Sequence, residues 1–101
     1  MYRVSKLFKA LSDEARLRIL CLLLERECAV CEVVQAIRIS QTRASRNLGI
    51  LHAAGLLKVR REGLWILYSI DEEGMKKFYP DLDLTDEVTI IYFETADVKT
   101  Q

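Results

Sequence analysis

The stretch CEVVQAIRISQTRASRNLGILHAAG, residues 31–55, decides the fold. Residues 31–37 read as a short helix, and only Arg38, Ile39 and Ser40 separate them from the next helical pattern. That spacing is the tight connection of a helix-turn-helix. Ser40 is a suitable cap for a helix over residues 40–54, in which Ala44, Leu48 and Leu51 fall on the inward face. Gln41, Thr42, Arg43, Ser45, Arg46 and Asn47 are left on or near the outer face. Gly55 follows the last turn, where a glycine stops a helix.

Downstream, the period changes from helical to alternating. Over residues 56–70, Leu57, Val59 and Arg61 alternate with Lys58 and Arg60, then Leu64, Ile66, Tyr68 and Ile70 alternate with Trp65, Leu67 and Ser69. Glu62-Gly63 lies between the two runs as the turn of a β-hairpin. Upstream, Val4, Leu7, Phe8 and Leu11 form one apolar face of an opening helix. Ser12 is the expected cap of a second, core helix whose first turn holds Asp13 and Glu14 and whose apolar side chains run from Leu17 to Leu24. A final helix is expected over residues 86–97 with Thr85 as its cap, after Pro80 interrupts the chain. The pattern as a whole is mainly α with a β-hairpin wing, one winged helix-turn-helix unit over residues 1–101.

The 101 residues carry a formal net charge of zero, which by itself argues against a nucleic-acid partner. The distribution of charge reverses that argument. Between Val33 and Arg61 there is no acidic residue, while Arg38, Arg43, Arg46, Lys58, Arg60 and Arg61 are all basic. From Asp71 onward nine acids face three lysines. The acid-free stretch coincides with the helix-turn-helix and the hairpin, so it reads as an electrostatic footprint for DNA. The second helix of such a motif lies in the major groove and needs short polar and forked basic side chains at its N-terminal end. Ser40, Gln41, Thr42, Arg43, Ser45 and Arg46 supply them, and Lys58, Arg60 and Arg61 on the wing are placed for flanking phosphates or the minor groove. The longest apolar run, residues 19–24, falls far short of the about 20 residues that span a bilayer, and the basic and acidic side chains near the N-terminus are unlike a signal peptide. A cytoplasmic, non-enzymatic protein with double-stranded DNA as its partner and no membrane association is the expectation.

Four blocks, residues 7–20, 40–48, 54–57 and 63–68, resemble the ArsR/SmtB family of metal-responsive repressors, the arsenic-responsive branch in particular. The resemblance covers residues 7–70. It implies a homodimer built on the first and last helices, repression of the protein's own operon, and release by an inducing ion.

Three cysteines in a chain without an export signal point to reduced thiols, metal ligation or redox sensing rather than a disulfide framework. Cys28 and Cys31 are three apart at the start of the third helix, where both sulfurs can share a side and the positive helix end favours thiolate. In the arsenic branch the pattern is cysteine, valine, cysteine, acid, aliphatic. Val30-Cys31-Glu32-Val33 places Cys31 on a ligand position, whereas Ala29 stands in place of the other cysteine and Val34 in place of a third. Cys21 is either a further ligand or a small buried hydrophobe within Leu20-Cys21-Leu22. No cofactor is required; two thiols suit arsenite, antimonite or cadmium as inducer better than zinc, which wants four ligands. Residues 86–101 hold no histidine, so the last-helix zinc site of the family is absent. Two alternatives stay open: a thiol-based redox or persulfide sensor on the same fold, and a family member with no metal site. A thiol oxidoreductase would need Cys28-Ala29-Val30-Cys31 after a strand in a βαβ unit, which the pattern does not offer. A plain protein-interaction module would leave the acid-free basic stretch unexplained.

Overall fold

The computed structural model describes residues 2–78. The helix expected over residues 86–97 lies outside the described residues. In chain order the elements are α1 (Tyr2–Leu11), α2 (Glu14–Glu25), β1 (Cys28–Ala29), α3 (Val30–Ile37), α4 (Gln41–Ala53), β2 (Leu57–Glu62), β3 (Trp65–Ile70) and α5 (Glu72–Phe78). The architecture is a winged helix-turn-helix: helices packed on one core, with a three-stranded antiparallel sheet in the order β1-β3-β2.

The core is where the periodicity puts it. Ala44, Leu48 and Leu51 of α4 meet Ile19, Leu20 and Leu23 of α2, Leu7 and Ala10 of α1, and Val33 and Ile37 of α3 in one buried cluster. Each of the leucine, isoleucine and valine side chains gains ~1.5–3 kcal/mol by leaving water, so the inward face of α4 is fixed by apolar burial and its outward face by exclusion. The cap of α2 is one residue later than the sequence reading places it. The Asp13 side chain accepts from the Arg16 backbone N–H at 3.1 Å, while the Ser12 hydroxyl donates to the Lys9 carbonyl at 2.7 Å and so finishes α1. A carboxylate at this position also meets the positive end of the helix, which a hydroxyl does not.

The ends of α4 are defined at both sides. Ser40 Oγ accepts from the Arg43 backbone N–H at 3.1 Å. At the other end Gly55, at φ 84°, lets its own N–H reach the His52 carbonyl and lets the Leu56 N–H reach the Leu51 carbonyl at 3.2 Å, a Schellman closure sealed by burial of Leu51 and Leu56. The chain leaves α4 already directed into β2. Between α3 and α4, Arg38 sits at φ 61° as the left-handed cap of α3, a conformation that costs a non-glycine residue ~1–2 kcal/mol and makes the reversal tight.

Two elements are absent from the sequence reading. β1 is only two residues long, and pairs Cys28 with Tyr68 and Ala29 with Leu67. Cys28 therefore lies on a strand, and α3 begins at Val30. α5 starts on Asp71, whose carboxylate accepts from the Gly74 N–H at 2.9 Å, with Glu72 and Glu73 in its first turn and Lys76 and Lys77 in its last.

Asn47, expected near the outer face of α4, is buried. Its Oδ1 accepts from Arg16 at 3.0 Å, and the same guanidinium donates to the carbonyls of Ala10 at 2.6 Å and Lys9 at 3.1 Å. Asp13 approaches it at only 4.0 Å. Arg16 thus ties the end of α1 and the middle of α4 to α2. Hydrogen bonds from a charged donor contribute ~1.5–3 kcal/mol each, and cutting them strands buried acceptors. Arg16→Ala is therefore expected to cost ~2–4 kcal/mol in urea unfolding, Arg16→Lys to recover little because an ammonium lacks the planar fork, and Arg43→Ala on the open face of α4 to stay within ~0.5 kcal/mol. Equal stability of Arg16→Ala and Arg43→Ala would contradict this.

Candidate nucleic-acid interface

The first turns of α4 present Gln41, Thr42, Arg43, Ser45 and Arg46 to solvent. No acidic residue stands in its first turn, so the amides and positive end of the helix face outward uncompensated. Arg43 and Arg46, three apart on one helix face, make no side-chain ion pair among the described residues. Ser40 is exposed, but its hydroxyl is already engaged as the cap. This surface is polar, forked and positively charged where a base edge or phosphate would meet it.

The wing is a two-stranded ribbon whose β2 side chains, Leu57 apart, are exposed. Glu62 pairs with Trp65, so the two-residue loop is Gly63-Leu64 rather than Glu62-Gly63. Gly63 at φ 61° supplies the positive φ that the first loop position of a type II′ hairpin needs. The pairing fixes which side chains share a face: Val59, Arg61, Ile66 and Tyr68 on one, Lys58, Arg60, Glu62, Trp65 and Leu67 on the other.

The three wing cations are therefore not equivalent. Arg60 donates to both carboxylate oxygens of Glu27 at 2.8 and 2.6 Å, and also meets Glu62 at 2.9 Å. These hydrogen bonds raise the Arg60 pKa and hold the Glu27 carboxyl below its usual range. Arg60 thereby straps the wing to the loop between α2 and β1. Lys58 and Arg61, on opposite faces of the ribbon, have no ion-pair partner among the described residues. Glu27 lies far from Arg60 in sequence and no local period links them.

The segment carrying the two spaced thiols is framed by polar contacts. Glu32 accepts from the Ala29 N–H at 3.0 Å and from Arg26 at 2.7 Å, which together hold its carboxyl below the usual range. Cys28 is fully buried; its thiol donates to the Arg26 carbonyl at 3.7 Å, and desolvation pushes its pKa up. Cys31 is exposed on α3. The expected thiolate at a helix end is thus not found at Cys28, which precedes the helix and sits in the core. Cys21 is buried in the core as well, its pKa pushed up to about 11 by burial and by the nearby Glu25 charge. Among the described residues no three His, Cys, Asp or Glu side chains are grouped to hold a metal ion. In this conformation one thiol of the Cys28 and Cys31 pair is open to an ion and the other is sealed in the core.

A thiol-reactive disulfide reagent added to folded protein at pH 8 is expected to modify Cys31 rapidly, and Cys21 and Cys28 only at the rate at which the structure opens. Rapid modification of all three would contradict the burial of Cys28.

No helix among the described residues is long and apolar enough to cross a membrane. Residues 13–59 match the bacterial regulatory protein, arsR family. The chain is similar to the cadmium resistance transcriptional regulatory protein CadC homolog of Staphylococcus aureus, 44% identical over 75 residues, which span 73% of this chain and 62% of that protein. It is likewise similar to the arsenic resistance transcriptional regulator ArsR1 of Pseudomonas putida, 42% identical over 67 residues, or 65% of this chain and 52% of that one. The match thus spans only about half to three fifths of those regulators. A homodimeric winged helix-turn-helix DNA-binding domain from Mycobacterium bovis, described as a possible ArsR-family transcriptional regulator, superposes with a TM-score of 0.68 at 37% identity, covering 84% of this chain and 80% of that one. The order of elements, the exposed face of α4 and these likenesses agree: the chain belongs to the arsR family of bacterial regulatory proteins, and its fold is the winged helix-turn-helix of DNA-binding transcriptional regulators.

Proposed function

We propose that this protein is a cytoplasmic transcriptional repressor that binds operator DNA as a homodimer and releases it when a soft ion reaches Cys28 and Cys31. The observation that carries the DNA-binding part is the exposed face of α4, where Arg43 and Arg46 have no ion-pair partner among the described residues and Gln41, Thr42 and Ser45 stand beside them. In this reading α4 enters the major groove, a forked arginine reads guanine edges or grips phosphate, and Lys58 and Arg61 hold the flanking backbone. Arg60 acts by positioning the wing. Dimerisation through α1 and the helix expected over residues 86–97 would set two copies of α4 ~34 Å apart, on successive major grooves. The homodimeric state of the Mycobacterium bovis neighbour supports a dimer.

The inducer part rests on the spacing of the two thiols and on the cadmium and arsenic resistance named for two relatives. Arsenite, antimonite or cadmium would be held by Cys28 and Cys31, and the ion would supply bonds to sulfur strong enough to offset the loss of local packing. Cys31 is reached first. Cys28 is buried where β1 pairs with β3, so in this reading engagement of both thiols requires a local rearrangement at the junction of β1 and α3.

Fluorescence anisotropy of labelled DNA from the gene's own upstream region tests both parts. Wild type is expected to bind that DNA in preference to an unrelated duplex, with affinity falling steeply as salt rises. Arg43→Ala or Arg46→Ala should relax the preference by ~1–3 kcal/mol at one base position, whereas Lys58→Ala or Arg61→Ala should weaken all sequences alike. Arsenite should release wild type and Cys21→Ser but neither Cys28→Ser nor Cys31→Ser. Equal binding to unrelated DNA would refute the repressor reading. Retention of DNA at saturating arsenite and cadmium, with release by oxidant, would replace the ion by a redox signal acting on the same thiols.

A further inference from the structure

Among the described residues Arg38 is the only one other than glycine with a positive φ, at 61°. It is the C-cap of α3 and stands in the connection to α4, two residues before the Ser40 cap. Its left-handed backbone makes the tight reversal, and its N–H donates to the Val34 carbonyl at 2.9 Å. Both services belong to the main chain. Glycine performs them without a Cβ to strain, and asparagine with less strain than arginine. A long charged side chain here lowers stability, so the reason for it lies in the guanidinium.

Within the chain the guanidinium does nothing that offsets the strain. Arg38 is exposed, so its stem covers little of the core, and it makes no ion pair among the described residues. The nearest acid in sequence, Glu32, is engaged by Arg26 and the Ala29 N–H. Attraction to the negative end of α3 remains. A solvated cation at the end of an eight-residue helix recovers less than a left-handed arginine loses.

Outside the chain the position has a use. Arg38 leads into the first turn of α4, within the acid-free stretch that also carries Arg43 and Arg46, and none of the three has an ion-pair partner among the described residues. Three arginines beside the amide end of one helix repel one another until an anion of high charge density is brought up to them. Arg38 precedes the cap of α4, so it stands beside the residues that would reach into a groove and not among them. That is a place for the sugar-phosphate backbone, not for a base edge.

Resting on the DNA-binding function proposed above, we infer that Arg38 is a further DNA-contacting residue: its guanidinium holds a backbone phosphate at the mouth of the groove that α4 enters, and the strained turn is kept for that charge. The contact adds affinity without sequence preference.

Arg38→Asn, Arg38→Gly and Arg38→Lys separate the charge from the backbone, read by melting temperature without DNA and by anisotropy with labelled upstream DNA and an unrelated duplex over a range of salt. Arg38→Asn should melt ~4 °C above wild type, and Arg38→Gly less so because glycine frees the unfolded chain. Both should bind either duplex ~5-fold more weakly, with the slope of log affinity against log salt shallower by ~0.9 for each copy bound. Arg38→Lys should keep the wild-type melting temperature and slope. Unchanged affinity and slope in Arg38→Asn overturn the contact, and if Arg43→Ala still loses binding in that case, the DNA-binding function stands without it. A lower melting temperature for Arg38→Asn with unchanged affinity also overturns it, by assigning the guanidinium to the end of α3. Equal loss of affinity in Arg38→Lys and Arg38→Asn with both slopes unchanged overturns it by showing that the turn, not the charge, is at work. Failure of wild type to bind its upstream DNA overturns both.

Discussion

Among the described residues, the guanidinium of Arg16 is the polar group that ties the helix carrying the exposed basic face, α4, to α1 and α2. Apolar packing draws α1, α2 and α4 together and sets which faces meet. The three hydrogen bonds from Arg16 add directional contacts among them. They end α1 at the carbonyls of Lys9 and Ala10 and fasten α4 at Asn47, one residue beyond Arg46. An arginine can do this because its donors diverge in a plane, and because its charge reaches solvent at the rim while its fork faces the core. The outward face of α4 is consequently held as a rigid body relative to α2.

The wing is held by a second, independent set of contacts. β1 joins the hairpin to the start of α3 through only two paired residues, and the bidentate bond from Arg60 to Glu27 lies immediately before it. Three functions of the chain therefore meet within residues 26–32: the sheet edge at Cys28 and Ala29, the strap at Glu27, and the Arg26 and Glu32 pair that closes the first turn of α3. Exposed ion pairs of this kind add little to global stability. Their effect is on orientation: they hold the wing to the loop before β1 and close the first turn of α3.

Much of this was legible in the residues. The period of α4, its serine cap and its terminal glycine, the turn before it, and the alternation of the hairpin are local signals, and the structure follows them. What local signals could not carry were the long-range pairings. Asn47 looks like a surface amide until its partner is known, and Arg60 looks like a free cation until Glu27 is folded against it. β1 is too short to show a period, and local pattern alone puts Cys28 at the start of a helix. The Asp13 cap and the helix on Asp71 have local signatures, an acid leading a first turn, but Ser12 before the one and Pro80 after the other compete with them. The family likeness, which the matches bear out, came from blocks whose spacing reflects the same packing.

The central claim is that α4 and the wing together grip one half-site and that a dimer grips two. Hydroxyl-radical footprinting of the gene's upstream DNA by the reduced protein tests it most directly. The account predicts two protected backbone segments one helical turn apart, ~34 Å between centres, each with further protection across the adjoining minor groove. A single protected segment, or uniform protection that follows protein concentration without position, would contradict it.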